Sequence, residues 1–228
     1  MTENRTPFSD PAHVASYAEG PVRQVPGFHD LQKMAALLLI EKAPEDANIL
    51  VVGAGGGLEL KVFSEMQPHW RFCGVDPSSE MLQLAKQTLG SLATRTDFHT
   101  GYVDTAPERQ FDAASCLLTL HFIEKDERLR TLREINRRLK PGAPLVIAHH
   151  SFPQGENQKD KWLRRYAAFA QLPGTPPENT EKSIATMRER LPTLSPEDDE
   201  ALLRDAGFGE IELFYAGFTF KGWVACKP

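Results

Sequence analysis

The chain has 228 residues, of which 41% are hydrophobic and 25% charged, with a formal net charge of -5. This length favours one domain with a small elaboration, and the hydrophobic content is sufficient for a core. The negative charge argues against nucleic acid as a partner, because that binding relies on Lys and Arg at phosphates. The longest apolar run, residues 34–40, is too short to span a bilayer, and the N-terminal residues have no apolar signal segment, so we expect a cytoplasmic protein.

The cysteines argue against a disulfide or metal framework. Cys73, Cys116 and Cys226 are far apart in apolar surroundings, and no Cys-x-x-C motif is present. An odd count with this spacing is typical of neither a disulfide scaffold nor a zinc site. We therefore expect buried, reduced thiols and no bound metal.

Strands and helices alternate through the first two thirds of the chain. Helices are predicted over residues 27–42, 58–66, 78–90 and 124–140 from apolar residues at helical spacing, with Ser78 or Ser79 capping the third. Short apolar strands are predicted over residues 49–52 and 71–76 and within residues 94–103, 110–120 and 143–150. This order predicts an α/β fold that is Rossmann-like, with a mostly parallel sheet and helices on both faces.

The pattern changes after residue 151. Two helices, one around residues 162–170 and one over residues 181–190, predict a helical cap over one end of the sheet. A helix follows Ser195 with Pro196 at its first position, and we expect the charged run over residues 196–205 to be a solvated face. Two strands joined at Ala216–Gly217 are predicted to form an antiparallel pair at the sheet edge. We therefore predict a seven-stranded sheet in a single domain, with an N-terminal helical lid over residues 1–43 and a cap insertion over residues 152–194.

The glycine cluster in residues 48–60 indicates close approach of the backbone to a ligand. No Lys-Ser or Lys-Thr follows the glycines, which excludes a P-loop. In both registers of the dinucleotide fingerprint the third glycine is replaced, by Leu58 or by Leu60. What remains is Gly53, Gly55 and Gly57, a pattern that suits a tight turn beneath an amino acid and a ribose with no diphosphate.

Asp76 supplies a second feature of a nucleoside site. It ends the predicted second strand about 20 residues beyond the glycine loop, where an acid is expected to bind ribose hydroxyls. Its carboxylate could accept hydrogen bonds from both hydroxyls. The alternative is that Asp76 only caps the helix that follows.

On these features residues 47–228 resemble the class I methyltransferases that use S-adenosylmethionine (SAM). The segment 49–60 is similar to their first motif, 74–86 to the second, 111–123 to the fourth strand and 132–150 to their helix–Pro-Gly–strand segment. The resemblance implies methyl transfer with SAM as cofactor, with Gly53 and Gly55 under its methionyl part and Gly57 letting the next helix start close to the sheet. It implies cofactor contacts from Gly53, Ala54, Gly55, Gly57, Asp76, Pro77, Met81, Tyr102, Val103, Leu117, Arg23 and Phe28.

A narrower resemblance links residues 23–31, 117–135 and 213–227 to the carboxy-SAM synthases of tRNA wobble-uridine modification. The chain departs from that subfamily at ligand positions: Phe28 replaces a Tyr and Leu117 replaces an Asn. Leu202 aligns with the Arg that holds the added carboxylate. These departures favour ordinary SAM, with Tyr102 or Val103 near the adenine.

Methyl transfer requires alignment and exclusion of water more than a fixed catalytic group, although an acceptor hydroxyl or amine benefits from a general base. His121 follows the predicted fourth strand, and His149 and His150 end the fifth, at the edge where ligands bind in this fold. We take these three as candidate bases, with packing as the alternative. His29 is a further candidate, in the segment that closes over the cofactor.

Two further features have a functional and a structural interpretation. Arg23 either pairs with the SAM carboxylate or is a solvated surface residue. Trp162, Tyr166 and Phe169 form an aromatic stripe that either packs the cap onto the sheet or lines an acceptor pocket.

Three hypotheses for function follow. The first is a SAM-dependent methyltransferase with a small-molecule acceptor and no membrane partner; a homodimer is left open. The second is a carboxy-SAM synthase-like or tRNA-modifying enzyme, and the third a non-catalytic SAM-binding protein.

Overall fold

The computed structural model describes residues 19–155, 157–171 and 177–228. Within these ranges no helix is long and apolar enough to cross a membrane. The strands are β1 Asn48–Val52, β2 Arg71–Asp76, β3 Thr96–Thr100, β4 Ala113–Leu117, β5 Pro144–His150, β6 Gly209–Gly217 and β7 Phe220–Cys226. The α-helices in the described ranges are α1 Glu19–Gln24, α2 Phe28–Ile40, α3 Leu58–Met66, α4 Ser79–Leu89, α5 Lys125–Arg138, α6 Gln158–Ala170, α7 Pro177–Arg190 and α8 Pro196–Asp205.

The strands form one seven-stranded sheet in the order β3-β2-β1-β4-β5-β7-β6. β1 to β5 are parallel, and β7 lies antiparallel between β5 and β6. The predicted fold class is therefore confirmed. Strands β2 and β3 are added on one side of β1, and β4 and β5 on the other. The strand order therefore reverses between β1 and β4, and open α/β sheets bind ligands at such a switch point.

The last two strands pair as predicted, but the turn between them was wrongly placed at Ala216–Gly217. β6 continues through Gly217, and β7 begins at Phe220. Phe218 takes up the reversal with a φ of 48°, a conformation that bulky residues rarely adopt. Sequence favoured the glycine for this turn because glycine carries no such penalty.

Alternate residues along β1 define the two faces of the core. Ile49 and Val51 join a cluster that includes α2, α3 and Tyr215. Leu50 and Val52 join a second cluster with α5, α8 and Trp223 on the other face. This is the period-two arrangement of a strand buried on both sides, and it assigns each later residue to one face of the sheet.

The helix ends are set by local chemistry. Ser78 caps α4 by accepting a hydrogen bond from the Met81 backbone N–H, and Ser195 caps α8 in the same way. α2 begins after Gly27, whose φ is 63°, and ends at Ile40, two residues before the prediction. The short helix α1 was not predicted from the sequence.

The helices α6 and α7 lie between β5 and α8 in the chain, as predicted. They pack on each other and bury a small apolar cluster of Phe152, Leu163 and Ile184. The predicted break at residues 172–177 falls largely outside the described residues, as does the first part of the predicted lid, residues 1–18. The lid and cap as functional units stay predictions.

Candidate functional site

The glycine loop follows β1 and packs against the end of β4. Gly53 has a φ of 78°, and a Cβ atom at this position would lie 1.9 Å from Oγ1 of Thr119. Thr119 is held by a hydrogen bond from its hydroxyl to the Leu117 carbonyl. Between them Leu118 has a φ of 56°, a strained conformation that is typical of functional sites. The loop is thus held tightly at the switch point of the sheet.

Asp76 joins the glycine loop to the start of α4. Its Oδ2 accepts a hydrogen bond from the Gly55 backbone N–H at 3.0 Å, and its Oδ1 accepts one from the Ser78 N–H at 2.9 Å. Burial raises the pKa of Asp76, while these two hydrogen bonds lower it. The residue therefore contacts the α4 N-terminus, but Ser78 is the N-cap.

The Asp76 carboxylate fits a ribose. A carboxylate has about four lone-pair sites, and the two backbone hydrogen bonds use one on each oxygen. One acceptor site on each oxygen remains for a hydroxyl donor. A Cβ at Gly55 would lie 2.7 Å from Asp76 Oδ2, so only glycine permits this approach of loop and acid.

A pocket lies beside this loop at the carboxyl ends of β1 and β4. Its walls are largely apolar, and Gln32 and Glu59 supply its polar side chains. It is lined by Pro21, Phe28, Leu31, Gln32, Gly53, Gly55, Leu58, Glu59, Leu117 and Leu118. A mostly apolar cleft with few polar groups is the usual form of a small-molecule site.

Glu59 and Gln32 were not predicted as site residues from the sequence. Both are buried, with 8% and 4% of their surface exposed. The Ser115 hydroxyl donates a hydrogen bond of 2.7 Å to Glu59, and burial raises the pKa of this carboxyl to about 8. The available signal was a charged residue next to the apolar face of the helix that follows the glycine loop, where Leu60 and Phe63 are buried.

The structure brings Phe28 and Leu117 into the pocket wall with Gly53 and Gly55. Ala54 is buried and donates its N–H to the Val75 carbonyl, which anchors the loop to β2.

Gly57 supports the loop from behind. A Cβ there would lie 2.8 Å from Cα of Ala85, so this glycine allows α3 to start close to α4, and the close approach is not to the sheet. Met81, buried at the start of α4, packs against Gly55.

The remaining predicted cofactor residues differ in exposure. Pro77 is exposed beside Asp76, and Arg23 is exposed on α1. Tyr102 is 68% exposed and Val103 is buried; both follow Gly101, whose N–H bonds to the Asp76 carbonyl. Of these two residues, only Tyr102 has a side chain that is accessible to a ligand.

His121 and His150 come together after β4 and at the end of β5, and neither is among the described residues that line the pocket. Their ring centroids are 4.8 Å apart, and the His150 backbone N–H donates to Nδ1 of His121 at 3.4 Å. His150 stacks on Phe220, its cross-strand neighbour, and its Nδ1 bonds to Thr219 at 2.9 Å. Burial lowers the pKa of His150 to about 3 and that of His121 well below its usual value, so both rings are neutral near pH 7.

His149 lies on the opposite face and is not part of this cluster. Its Nε2 is 3.2 Å from Oδ2 of Asp199, which also pairs with Arg128 at 2.6 Å, and all three side chains are at most 1% exposed. The expectation that residues 196–205 form a solvated face is therefore wrong at Asp199. The sequence shows that Asp199 is acidic, but it does not show that this side chain lies on the buried side of α8.

His29 is exposed on α2. The aromatic stripe of α6 divides: Tyr166 is buried against His150 and Phe220, whereas Phe169 is 42% exposed and contacts Phe218. Trp162 is half-buried, with Arg165 and Lys221 over its ring. Packing therefore explains Tyr166, and the other two rings are at the surface.

The three cysteines are free and buried, as predicted. Over the part of the chain described, no group of three His, Cys, Asp or Glu side chains could hold a metal ion. Leu202, the position aligned with a ligand-binding Arg, is buried in the core on the face of the sheet away from the pocket.

Comparison with known proteins agrees with this geometry. A family model described as a methyltransferase domain matches residues 49–142. A carboxy-SAM synthase from Campylobacter lari is 24% identical over 96% of this chain and 94% of its own length. A carboxy-SAM synthase from Desulfotalea psychrophila is 25% identical over 90% of this chain and 86% of its own length.

Solved structures share the fold at low identity. A putative O-methyltransferase from Nostoc punctiforme has a TM-score of 0.68 at 18% identity, covering 94% of this chain and 59% of that one. Human N-acetylserotonin methyltransferase in complex with SAM has a TM-score of 0.63 at 16% identity, covering 96% of this chain and 57% of that one. This chain thus spans less than two thirds of the length of those two methyltransferases.

The sheet order and a glycine loop bonded to a strand-end acid define a class I methyltransferase fold. Together with the methyltransferase-domain match over residues 49–142, they support assignment of the chain to the class I SAM-dependent methyltransferase family. The prediction of SAM as its cofactor is confirmed at the level of the family.

Proposed function

We propose that this protein transfers the methyl group of SAM to a small-molecule acceptor. The observation that carries the proposal is the hydrogen bond between Asp76 and Gly55, because it joins a ribose-binding acid to the backbone loop of the pocket. The apolar wall formed by Phe28 and Leu117 supports a site that excludes water. When bound, SAM supplies an electrophilic methyl group on a positively charged sulfur, and the leaving thioether is neutral.

The protein's own residues have three tasks in this proposal. Asp76 accepts the ribose hydroxyls through its two remaining acceptor sites, and Gly53 and Gly55 allow the ligand to approach the backbone. Phe28 and Leu117 exclude water beside the methionyl part. Alignment of donor and acceptor then provides most of the rate enhancement, as expected for a displacement that needs no acid at the leaving group.

For an acceptor that must lose a proton, we propose His150 as the base ahead of His121. His121 accepts the His150 N–H at Nδ1, which leaves its own proton on Nε2 and makes the ring a donor. The low pKa of His150 keeps its ring unprotonated near pH 7, although it also makes the ring a weak base. His149 is paired with Asp199 on the other face, and we assign it no chemical role.

The decisive experiment has two stages. Isothermal titration calorimetry with SAM and with NAD tests the ligand class, and we expect binding of SAM alone. A panel of small hydroxyl and amine acceptors is then screened for S-adenosylhomocysteine by mass spectrometry. Absence of SAM binding would refute the proposal, whereas SAM binding without any turnover would favour a non-catalytic SAM-binding protein.

A carboxy-SAM synthase activity is the second candidate, because the relatives named above carry that name over nearly the whole chain. Two observations weigh against it. The pocket lining, within the described ranges, contains no Lys or Arg to pair with an added carboxylate, and Leu202 is buried away from it. Incubation with SAM and prephenate, followed by mass spectrometry of the nucleoside, distinguishes the two: a carboxy-SAM peak would favour the second candidate.

A further inference from the structure

We infer that Glu59 is the counter-charge for the cationic cofactor in this pocket and that it releases a proton to solvent when SAM binds. The inference rests on the proposed function, since it takes SAM as the ligand. It adds a polar residue to the pocket that the glycine loop and Asp76 do not supply.

The position of Glu59 is the first argument. It is the second residue of α3, directly after the glycine loop, and its buried carboxyl group accepts a hydrogen bond from Ser115 at 2.7 Å. It lines the pocket together with Gly53 and Gly55. Among the lining residues in the described ranges it is the one with a titratable side chain.

Gln32 gives an independent indication of a polar ligand group. Its side chain lines the same pocket from α2 and is 4% exposed. Across the described segments its amide makes no hydrogen bond with the protein. The amide therefore offers both donors and an acceptor to the pocket, so this wall can bind a polar ligand group.

Among the described residues, no side chain of opposite charge pairs with Glu59. From α2 the pocket receives Phe28, Leu31 and Gln32, which are uncharged. From β4 the Ser115 hydroxyl donates a hydrogen bond to Glu59, and the neighbouring Cys116 thiol has a pKa raised by burial and by the charge of Glu59.

The other described elements around the pocket add no compensating cation to its lining. Asp76 lies across Gly55 and is itself an acid, while α1 contributes Pro21 and carries Arg23 at the surface. A cationic ligand would supply the missing charge. The N-terminal end of α3 also favours the ionised carboxylate, so its field acts in the same direction as the ligand.

The direction of the linkage follows from these facts. Burial raises the pKa of Glu59 to about 8, so the carboxyl group is neutral near pH 7 in the SAM-free protein. SAM carries a sulfonium and an ammonium, and a positive charge nearby favours the ionised carboxylate. Binding therefore lowers this pKa and releases a proton, and SAM affinity rises with pH until about pH 8.

Calorimetry measures the released proton directly. SAM is titrated at pH 7.0 in two buffers of different ionisation enthalpy, and the difference in heat gives the proton count. We expect Glu59→Gln to release up to about 0.9 proton less per SAM than the wild type. Because Gln keeps the shape of the side chain, thermal melting should show both proteins folded. The matched control is Glu65→Gln, an exposed acid on the same helix, which should match the wild type.

The pH profile provides the second readout. Below pH 8, wild-type affinity should fall by up to about tenfold per pH unit relative to Glu59→Gln. The Ser115 hydrogen bond lowers the pKa of Glu59, so Ser115→Ala should move the profile to higher pH.

These measurements distinguish failure of the counter-charge role of Glu59 from failure of the proposed methyltransferase function. SAM binding with an equal proton count in the wild type and Glu59→Gln would overturn the counter-charge role and leave the proposed function intact. Uptake of a proton that depends on Glu59 would also overturn it, since it would indicate a contact with an anionic group. Absence of SAM binding at every pH would refute both.

Discussion

Asp76 and Gly55 lie 21 residues apart in sequence, and in the fold the Asp76 carboxylate accepts the Gly55 N–H at 3.0 Å. The contact joins the loop that follows β1 to the last residue of β2, and the two strands are adjacent and parallel. It holds the acid in place without a ligand, so little side-chain entropy remains to be lost on binding. The remaining acceptor site on each oxygen is therefore preorganised for the ribose hydroxyls in the proposed SAM complex.

Replacing Asp76 by Asn should weaken SAM binding. The amide offers one acceptor oxygen in place of two and has no charge, and a hydrogen bond to a charged group contributes about 1.5–3 kcal/mol. We expect an increase in Kd of roughly 10- to 150-fold by calorimetry. The control is Asp97→Asn. Asp97 is an exposed acid on β3 that pairs with Arg109, so this variant should bind SAM normally. Equal affinity in both variants would remove Asp76 from the site.

Gly53→Ala should abolish SAM binding and lower stability through contact with Thr119. The Cβ would lie 1.9 Å from the Thr119 Oγ1, so the end of β4 must shift. Gly142 provides a matched control, because its φ is also 78° but a Cβ there would meet no atom within 4 Å. Gly142→Ala should cost only the backbone strain, about 1–3 kcal/mol. Urea unfolding should show a clearly larger loss for Gly53→Ala, and similar losses would contradict the packing argument.

Asp199→Asn should be strongly destabilising. Asp199 is shared by Arg128 and His149, and all three side chains are at most 1% exposed. Its loss leaves Arg128 as an uncompensated buried charge, for which about 3–5 kcal/mol is typical. Asp198, one residue earlier, pairs with Lys125 at the surface, and Asp198→Asn should cost only about 0–1 kcal/mol. A similar free energy of unfolding for the two variants would show that the buried network contributes little.

The sheet could be predicted because its signals are local. The apolar run of β1 and the Ser78 cap each act within a few residues, and the alternation of such elements along the chain implied a parallel sheet. The turn at Phe218 could not be predicted, since a strained φ at a bulky residue is imposed by the register of β6 and β7. The inward position of Asp199 depends likewise on how α8 packs against β5 and α5.

The candidate site was predictable to the same extent. The glycine loop and Asp76 form a pattern that can be recognised in the sequence, because the close backbone approach requires glycine and the acid follows at a typical spacing. Glu59 has no such requirement, because an acid in the first turn of a helix is ordinary. Only the packing of α3 buries its carboxyl group, and burial raises the pKa of that group to about 8. The three histidines were equivalent by position, and strand alternation then separated His149 from His150, which faces Phe220.

The buried His150 should make the protein sensitive to acid. Burial, and then the charge of His149, lowers the pKa of His150 to about 3, whereas an unfolded histidine titrates near 6.5. Between these values the unfolded state binds the proton and the folded state does not, so the free energy of unfolding falls as pH decreases from about 6.5 towards 3. The contribution of this one ring approaches roughly 1.4 kcal/mol per pH unit.

Urea unfolding at pH 7, 6 and 5 measures how steeply the free energy of unfolding depends on pH, and this slope should be smaller for His150→Gln than for the wild type. His69→Gln, at a ring 66% exposed, should keep the wild-type slope. Equal slopes in all three proteins would mean that the His150 ring takes up its proton without unfolding.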